Sequence, residues 1–186
     1  LNGENGNGIF SGLMAGTHDL NITDDNGCMF DTTLTLTQPD TLILMLDSLA
    51  NLMCNGDNSG WINATGTGGI MPYEYSIDGT NFDLPNLFNT LSAGSYVISV
   101  LDANGCTDTL SVVLTEPGVL MLSLLGTTDA LCNAQASGAV SVAASSGTPP
   151  YQYSINGGVN WQASGEFPGI GAGSYNLIVT DANGCT

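Results

Sequence analysis

Residues 95–115 read SYVISVLDANGCTDTLSVVLT. Apolar and polar residues alternate on both sides of Asp102–Cys106, the period-two pattern of strands with one buried face. Asn104-Gly105 between them signals a hairpin, and the type I′ turn is expected because both residues accept positive φ. The pattern returns in Thr33–Thr37 and Tyr175–Val179, and no helical period is sustained over eleven residues. The fold class that follows is all-β.

The hairpin also sets a period. Cys28, Cys106 and Cys185 each close an Asn-Gly-Cys tripeptide and lie 78 and 79 residues apart, while Cys54 and Cys132 form a second series spaced by 78. Gln38-Pro39 falls on Glu116-Pro117, and Gly69–Ile77 overlays Gly147–Ile155. Ala93-Gly94-Ser95-Tyr96 meets Ala172-Gly173-Ser174-Tyr175, which the first copy renders as Ala15-Gly16-Thr17-His18. Such self-similarity marks tandem copies of one small domain. Residues 1–39 are read as the C-terminal part of a first repeat, 40–117 as a complete second repeat, and 118–186 as a third repeat lacking its last strand. The chain opens without Met in mid-repeat and is expected to be a stretch of a longer polypeptide.

Within the full repeat, strands are expected at Thr41–Leu46, Gly60–Thr65, Tyr73–Ile77, near Asn81–Leu84, near Leu87–Leu91, at Ser95–Leu101 and at Thr107–Thr115. That is a seven-strand antiparallel sandwich of about 78 residues, Ig-like or fibronectin-III-like. Tyr96 and Tyr175 follow a Gly near the start of the penultimate strand, where a tyrosine-corner hydroxyl would tie the strand to the preceding loop. Pro39 and Pro117 end the last strand and mark short joints between domains.

Composition excludes several functions. The chain has no Lys or Arg against 17 acidic residues, so the contacts on which nucleic-acid binding rests are absent. Docking on anionic lipid is opposed too. Schiff-base chemistry, P-loop phosphate binding and bidentate carboxylate clamps are all ruled out. No run of 18 apolar residues is present, so membrane insertion of this segment is not expected. No signal peptide is present, and export would be directed from elsewhere in the protein. The cysteines never form C-x-x-C pairs, which weakens zinc and thioredoxin readings.

No catalytic residue is expected. His18 is the only candidate base, and it aligns with Tyr96 and Tyr175, which favours a structural role. Asp24, Asp25 and Asn26 are weak calcium candidates, since hard cations take carboxylate and amide oxygens, but the full EF-hand pattern is absent. No cofactor is expected beyond that calcium candidate. Tyr73, Tyr75, Phe82, Tyr151, Tyr153 and Trp161 suit either a sugar-stacking platform or core packing, with core packing favoured. No base recurs beside the Ser and Thr residues and no nucleophile elbow is present.

The Asp-Ala-Asn-Gly-Cys of Asp102–Cys106 and Asp181–Cys185, the Gly-x-x-Pro-Tyr-x-Tyr-Ser of Gly69–Ser76 and the Ala-Gly-Ser-Tyr of Ala93–Tyr96 resemble the SprB-type repeat. That family occurs in giant cell-surface adhesins of Bacteroidota, including gliding-motility adhesins exported by the type IX secretion system. Departures are Asp25 for the usual Ala, His18 for Tyr and Leu101 for Thr. The resemblance implies an extracellular, Ig-like stalk on a bacterial cell surface. Its partners would be neighbouring repeats, with other subunits of a surface filament or surface glycans as further candidates. Asp31-Thr32-Thr33, Asp40-Thr41-Leu42, Asp47-Ser48-Leu49 and Asp108-Thr109-Leu110 also look like the O-glycosylation sequon of that phylum, making Thr32, Thr41, Ser48 and Thr109 candidate sites. The bland alternative is that Asp-Thr begins a strand. A glycan- or calcium-binding module, and an accessory region of a secreted enzyme, are the rival functions.

Disulfides suit an exported domain with little core. Family analogy pairs Cys54 with Cys106 and Cys132 with Cys185, and Cys28 with a residue outside the chain. Strand counting objects: in a seven-strand sandwich Cys54 and Cys106 lie at opposite ends, so Cys54 would meet Cys185 of the next repeat. Six strands would restore the pairing within a repeat. Both pairings stay open.

Overall fold

The computed structural model describes residues 8–83, 85–132 and 135–186. Among them lie thirteen strands and no helix: β1 Gly16–Thr23, β2 Met29–Leu36, β3 Ile43–Ala50, β4 Gly60–Thr67, β5 Glu74–Ser76, β6 Leu87–Leu91, β7 Gly94–Leu101, β8 Thr107–Leu114, β9 Met121–Thr128, β10 Gly138–Ser145, β11 Gln152–Ser154, β12 Glu166–Ile170 and β13 Ile178–Thr180. The fold is all-β, as the alternation predicts.

The hairpin of residues 95–115 forms as read, with β7 and β8 pairing antiparallel from Gly94↔Leu114 to Leu101↔Thr107. Its turn differs from the expectation. The Gly105 N–H donates to Asp102 O at 3.0 Å, and Gly105 alone takes positive φ (82°), Asn104 keeping an ordinary one. This is a tighter turn over Asp102–Gly105 followed by a left-handed glycine, the form used by hairpin loops longer than two residues. The cause is Asp102, whose Oδ1 accepts the N–H groups of Asn104 (2.9 Å) and Cys106 (2.8 Å) and so holds the backbone of the whole loop.

The second repeat is a sandwich of two three-stranded sheets, ordered β3-β4-β6 and β5-β7-β8. Leu44, Ile62 and Ala64 of one sheet meet Tyr75, Ile98, Val100, Val112 and Leu114 of the other in one core, closed by Leu42 and Leu52. Ile62, Ala64, Ile98 and Val100 are fully buried. Burying each of the Ile and Val side chains is worth about 1.5–3 kcal/mol. On β8 the intervening Ser111 and Val113 face water, which is why alternation was visible in the sequence, whereas the polar Ser76 and Ser99 are buried.

Six strands form in this repeat rather than seven. The segment expected as a short strand near Asn81–Leu84 contributes a single bridge, Tyr75↔Asp83, with bonds of 2.7 and 2.9 Å in both directions; Leu84 lies outside the described residues. The chain nevertheless reverses direction there. β5 descends antiparallel to β7, the bridge at Asp83 runs back antiparallel to it, and β6 descends again antiparallel to β4. The repeat therefore keeps the end-to-end parity of seven strands while hydrogen-bonding only six.

The third repeat follows the same plan, with sheets β12-β10-β9 and β11-β13. Its core is Val140, Val142, Tyr153, Phe167 and Val179, with Leu120 and Leu122 only half-buried against it. In the first copy, β1 and β2 repeat the register of β7 and β8, from Gly16↔Leu36 to Thr23↔Met29.

Candidate functional site

The most elaborated site is the joint between the second and third repeats. On one side is the loop after β3. The Leu52 N–H donates to Thr115 O (3.0 Å) and the Thr115 N–H to Asn51 Oδ1 (2.9 Å), so the loop is tied to the end of β8. Asn55 Nδ2 reaches Pro117 O (3.0 Å), and the Gly56 N–H reaches Glu116 Oε2 (2.7 Å), which fixes the linker itself. Within the loop, Ser59 Oγ accepts the Met53 N–H (2.8 Å) and Asp57 Oδ2 accepts the Cys54 N–H (2.9 Å). Met53 O is left facing the next repeat.

On the other side is the turn Asp181–Cys185. Asp181 Oδ1 accepts the N–H groups of Asn183 (2.9 Å) and Cys185 (3.0 Å), and Oδ2 accepts that of Thr148 (2.9 Å). Gly147 makes this possible: with φ of 63°, it would place a Cβ 2.9 Å from Asp181 Oδ2 if substituted. Burial pushes the Asp181 carboxyl up, but the N–H groups of Thr148, Cys185, Asn183 and Gly184 outweigh it, and its pKa falls below the ordinary value. Asp102 in the second repeat is held below it by the Ile70 N–H first and by those of Cys106 and Asn104, against the upward push of burial.

Across the joint, Asn183 Nδ2 donates to Met53 O at 2.8 Å, and Cys54 is disulfide-bonded to Cys185 with a Cα–Cα distance of 5.7 Å, ordinary for such a bond. Pairing within a repeat is not what forms: Cys54 is not bonded to Cys106, nor Cys185 to Cys132, and Cys28, Cys106 and Cys132 are exposed free thiols. The reason is the parity described above. Cys54 follows β3 at the end where β8 finishes, whereas Cys106 precedes β8 at the end where β3 begins, next to Asp108, whose Oδ2 accepts the Leu44 N–H (2.8 Å). Six hydrogen-bonded strands do not bring them together, contrary to the strand-count argument.

The other singled-out residues fall elsewhere. His18 Nε2 lies 2.8 Å from Met14 O, in the place where Tyr96 OH donates to Ser92 O (2.8 Å) and Tyr175 OH to Gly171 O (2.7 Å). All three rings bond the carbonyl four residues upstream, His18 and Tyr96 near a strand start and Tyr175 ahead of β13. Asp24 spends its Oδ1 on the N–H groups of Asn26 and Cys28, the Cys28 contact contributing most to its lowered pKa, and Asp25 is exposed beside it. Among the described residues no three His, Cys, Asp or Glu side chains gather to hold a metal.

Tyr75 and Tyr153 are buried, and their hydroxyls accept the N–H groups of Gly66 (3.0 Å) and Ala144 (3.1 Å). Tyr73 and Tyr151 donate to Gly68 O and Ser146 O. Tyr75 and Tyr153 belong to the two cores, with Tyr73 and Tyr151 packed against them, while Phe82 is half-buried and Trp161 exposed. Thr32, Thr41, Ser48 and Thr109 are all exposed. Their acidic neighbours have structural work too, Asp47 accepting Thr65 Oγ1 (2.5 Å) and Asp31 accepting Asn21 Nδ2 (2.5 Å).

A cavity of about 420 Å³ opens on the first hairpin, lined by Phe10, Leu13, Leu20, Leu34 and Leu36 among others. Leu20, Leu34 and Leu36 correspond to Ile98, Val112 and Leu114, so this hollow is the core face of a sandwich half. Among the described residues every buried polar side-chain atom has a hydrogen-bond partner, and none is aimed unpaired into a cavity. What the sequence reading missed is Asn183 as the docking amide. Its recurrence beside each Cys of the Asn-Gly-Cys series was the available signal.

A family model described as the SprB repeat matches the chain twice, over residues 47–82 and 126–160, which bears out the resemblance. It is a structural repeat family, not an enzyme family. No curated protein matches the chain.

Proposed function

Starting from two SprB repeats joined by a disulfide, we propose that this chain is part of the stalk of a large exported bacterial surface adhesin or filament. The stalk holds a distal adhesive region away from the cell, and type IX secretion and a role in gliding are the finer form of the same reading. The covalent joint is the observation that carries it. A tether has to transmit tension without lengthening, and Cys54–Cys185 spans 131 residues of sequence. Pulled from its two ends, the chain carries load through Cys54 directly to Cys185, and β4 to β13, which lie between them, are bypassed while β3 stays in the load path.

Extracellular residence agrees with SprB repeats occurring in cell-surface proteins and with a bond that persists only in an oxidising setting. The absence of Lys and Arg supports the same reading, since trypsin-like proteases have no site to cut. The exposed hydroxyls of Thr32, Thr41, Ser48 and Thr109 are proposed to carry O-linked glycans, which would add hydration and further protease resistance.

Single-molecule stretching of the chain between its termini tests the proposal. Residues between the two cysteines hide roughly 470 Å of contour at about 3.6 Å per residue. That length is expected to stay hidden without reductant and to appear after reduction. Its release without reductant would remove the load-bearing role. A rise in melting temperature with calcium, or retention on a glycan array, would instead favour a binding module.

A further inference from the structure

We propose that Asn183-Gly184 is a latent deamidation site that the joint holds shut, so that reducing Cys54–Cys185 releases it and turns a reversible break into a permanent one. This rests on the closed joint between the repeats and not on the stalk reading.

An asparagine followed by glycine carries an electrophile beside a nucleophile. The deprotonated backbone nitrogen of the glycine attacks the side-chain Cγ, the new C–N bond closes a succinimide, and the amide nitrogen leaves as ammonia. Water then opens the ring to aspartate or isoaspartate. Amide and water are consumed, acid and ammonia are formed, and nothing is oxidised or reduced. Glycine is the successor that hinders the attack least, because it has no Cβ and its backbone turns freely. The step needs a side-chain amide loose enough to swing over the glycine nitrogen, and that nitrogen's N–H must not be donated elsewhere.

Asn183 meets neither condition while the joint is closed. Its Nδ2 donates to Met53 O (2.8 Å) and to Thr148 Oγ1 (3.1 Å), and the Gly184 N–H donates to Asp181 O (3.1 Å). Of these three bonds only the one to Met53 O crosses to the second repeat, and the Cys54–Cys185 disulfide beside it keeps it made. Two molecules of a small thiol reduce that disulfide by exchange and leave as their own disulfide. Asn183 is then in an exposed turn with its strongest hold gone. Its product does not dock again. Aspartate has no donor for Met53 O and sets a carboxylate against a carbonyl, and isoaspartate lengthens the backbone inside the turn that Asp181 frames for Cys185.

Two other Asn-Gly steps are held without help from across the joint. Asn55 Nδ2 donates to Pro117 O (3.0 Å) and the Gly56 N–H to Glu116 Oε2 (2.7 Å), both within the second repeat and its linker. In the third repeat, Asn156 Oδ1 accepts Ser154 Oγ (2.9 Å) and the Asn160 N–H (3.0 Å), while the Gly157 N–H donates to Asn176 O (3.1 Å). Opening the joint leaves these bonds in place, whereas unfolding the third repeat breaks those around Asn156. The two steps therefore separate one event from the other.

The test incubates the 186-residue chain in mildly alkaline buffer, oxidised or reduced, and follows Asn55, Asn156 and Asn183 by peptide mass spectrometry. Asn183 is expected to deamidate about fivefold faster in the reduced chain, the worth of one hydrogen bond, with Asn55 and Asn156 unchanged. On reoxidation, the Cys54–Cys185 peptide should return from chains that keep Asn183 and fall in proportion to those that have lost it. Asn183→Asp should reproduce that loss without ageing. Equal rates at Asn183 in the two states would overturn the proposal. So would acceleration of Asn156 alongside Asn183, which means that the third repeat has unfolded, or a disulfide that re-forms as readily in deamidated chains as in intact ones.

Discussion

The second and third repeats share a plan but not a core. The five strands β9 to β13 match β3 to β7 in order, yet β7 runs for eight residues and its counterpart β13 for three, because β7 is flanked by β5 and β8 whereas β13 has β11 as its only strand partner among the described residues. The consequence reaches the opposite sheet: Leu42 and Leu44 are buried, while Leu120 and Leu122 are not fully covered. The first hairpin makes the converse point. It keeps all eight pairs of the β7–β8 register, but Ile22 and Leu34 are each 53 % exposed where Val100 and Val112 are 0 % and 5 %. Pairing is local and set by the turn; burial needs both sheets.

Between the two repeats, the staple has the greatest effect on stability. Closing a loop of 131 residues is worth about 5 kcal/mol by the chain-entropy account. Cys185→Ser or Cys54→Ser is expected to cost up to that amount and to split unfolding into two transitions, the third repeat first. Cys106→Ser should change neither. Denaturant titration followed by Trp61 and Trp161 fluorescence distinguishes them, one tryptophan lying in each repeat.

An edge strand beside β13 should narrow the gap. Appending a segment equivalent to Thr107–Leu114 after Thr186 is expected to lengthen β13 and to bury Leu120 and Leu122, stabilising the third repeat by about 3 kcal/mol, the worth of one or two buried aliphatic side chains. Hydrogen exchange along 175–180 reports it directly. A smaller contrast comes from equivalent substitutions. Ile98→Ala should cost about 3 kcal/mol, since it empties a closed core, and Leu20→Ala under about 1 kcal/mol, since Leu20 is already half-open. Equal costs would mean that the first hairpin has found another cover.

The weakest effect is acid. Asp102 and Asp181 have pKa values below the ordinary carboxylate value, so they bind protons less readily folded than unfolded. Their contribution is complete above about pH 4 and is lost as pH falls through the lowered values. A melting temperature that declines below about pH 4, with the decline reduced in Asp181→Asn, is the expected result.

Much of this was legible in the sequence because the period is strict and the alternation survives wherever one strand face meets a core. Residues 95–115 disclosed both strands of the hairpin. They did not disclose the turn type, since Asn-Gly suits a two-residue turn while the deciding group, the Asp102 carboxylate, acts two and four residues away. Strand count misled for a related reason. Asp83 reverses the chain with a single bridge, too short to leave a periodic signal, and that reversal places Cys54 and Cys106 at opposite ends. The docking of Asn183 on Met53 O spans 130 residues and is invisible to any local pattern.

The joint is best tested by proteolysis of the alkylated, unreduced chain with an Asp-specific protease, followed by mass spectrometry of the linked peptides. The account predicts Cys54 linked to Cys185, with Cys28, Cys106 and Cys132 alkylated in the monomer. A peptide linking Cys54 to Cys106 would contradict it and return each repeat to an independent bead.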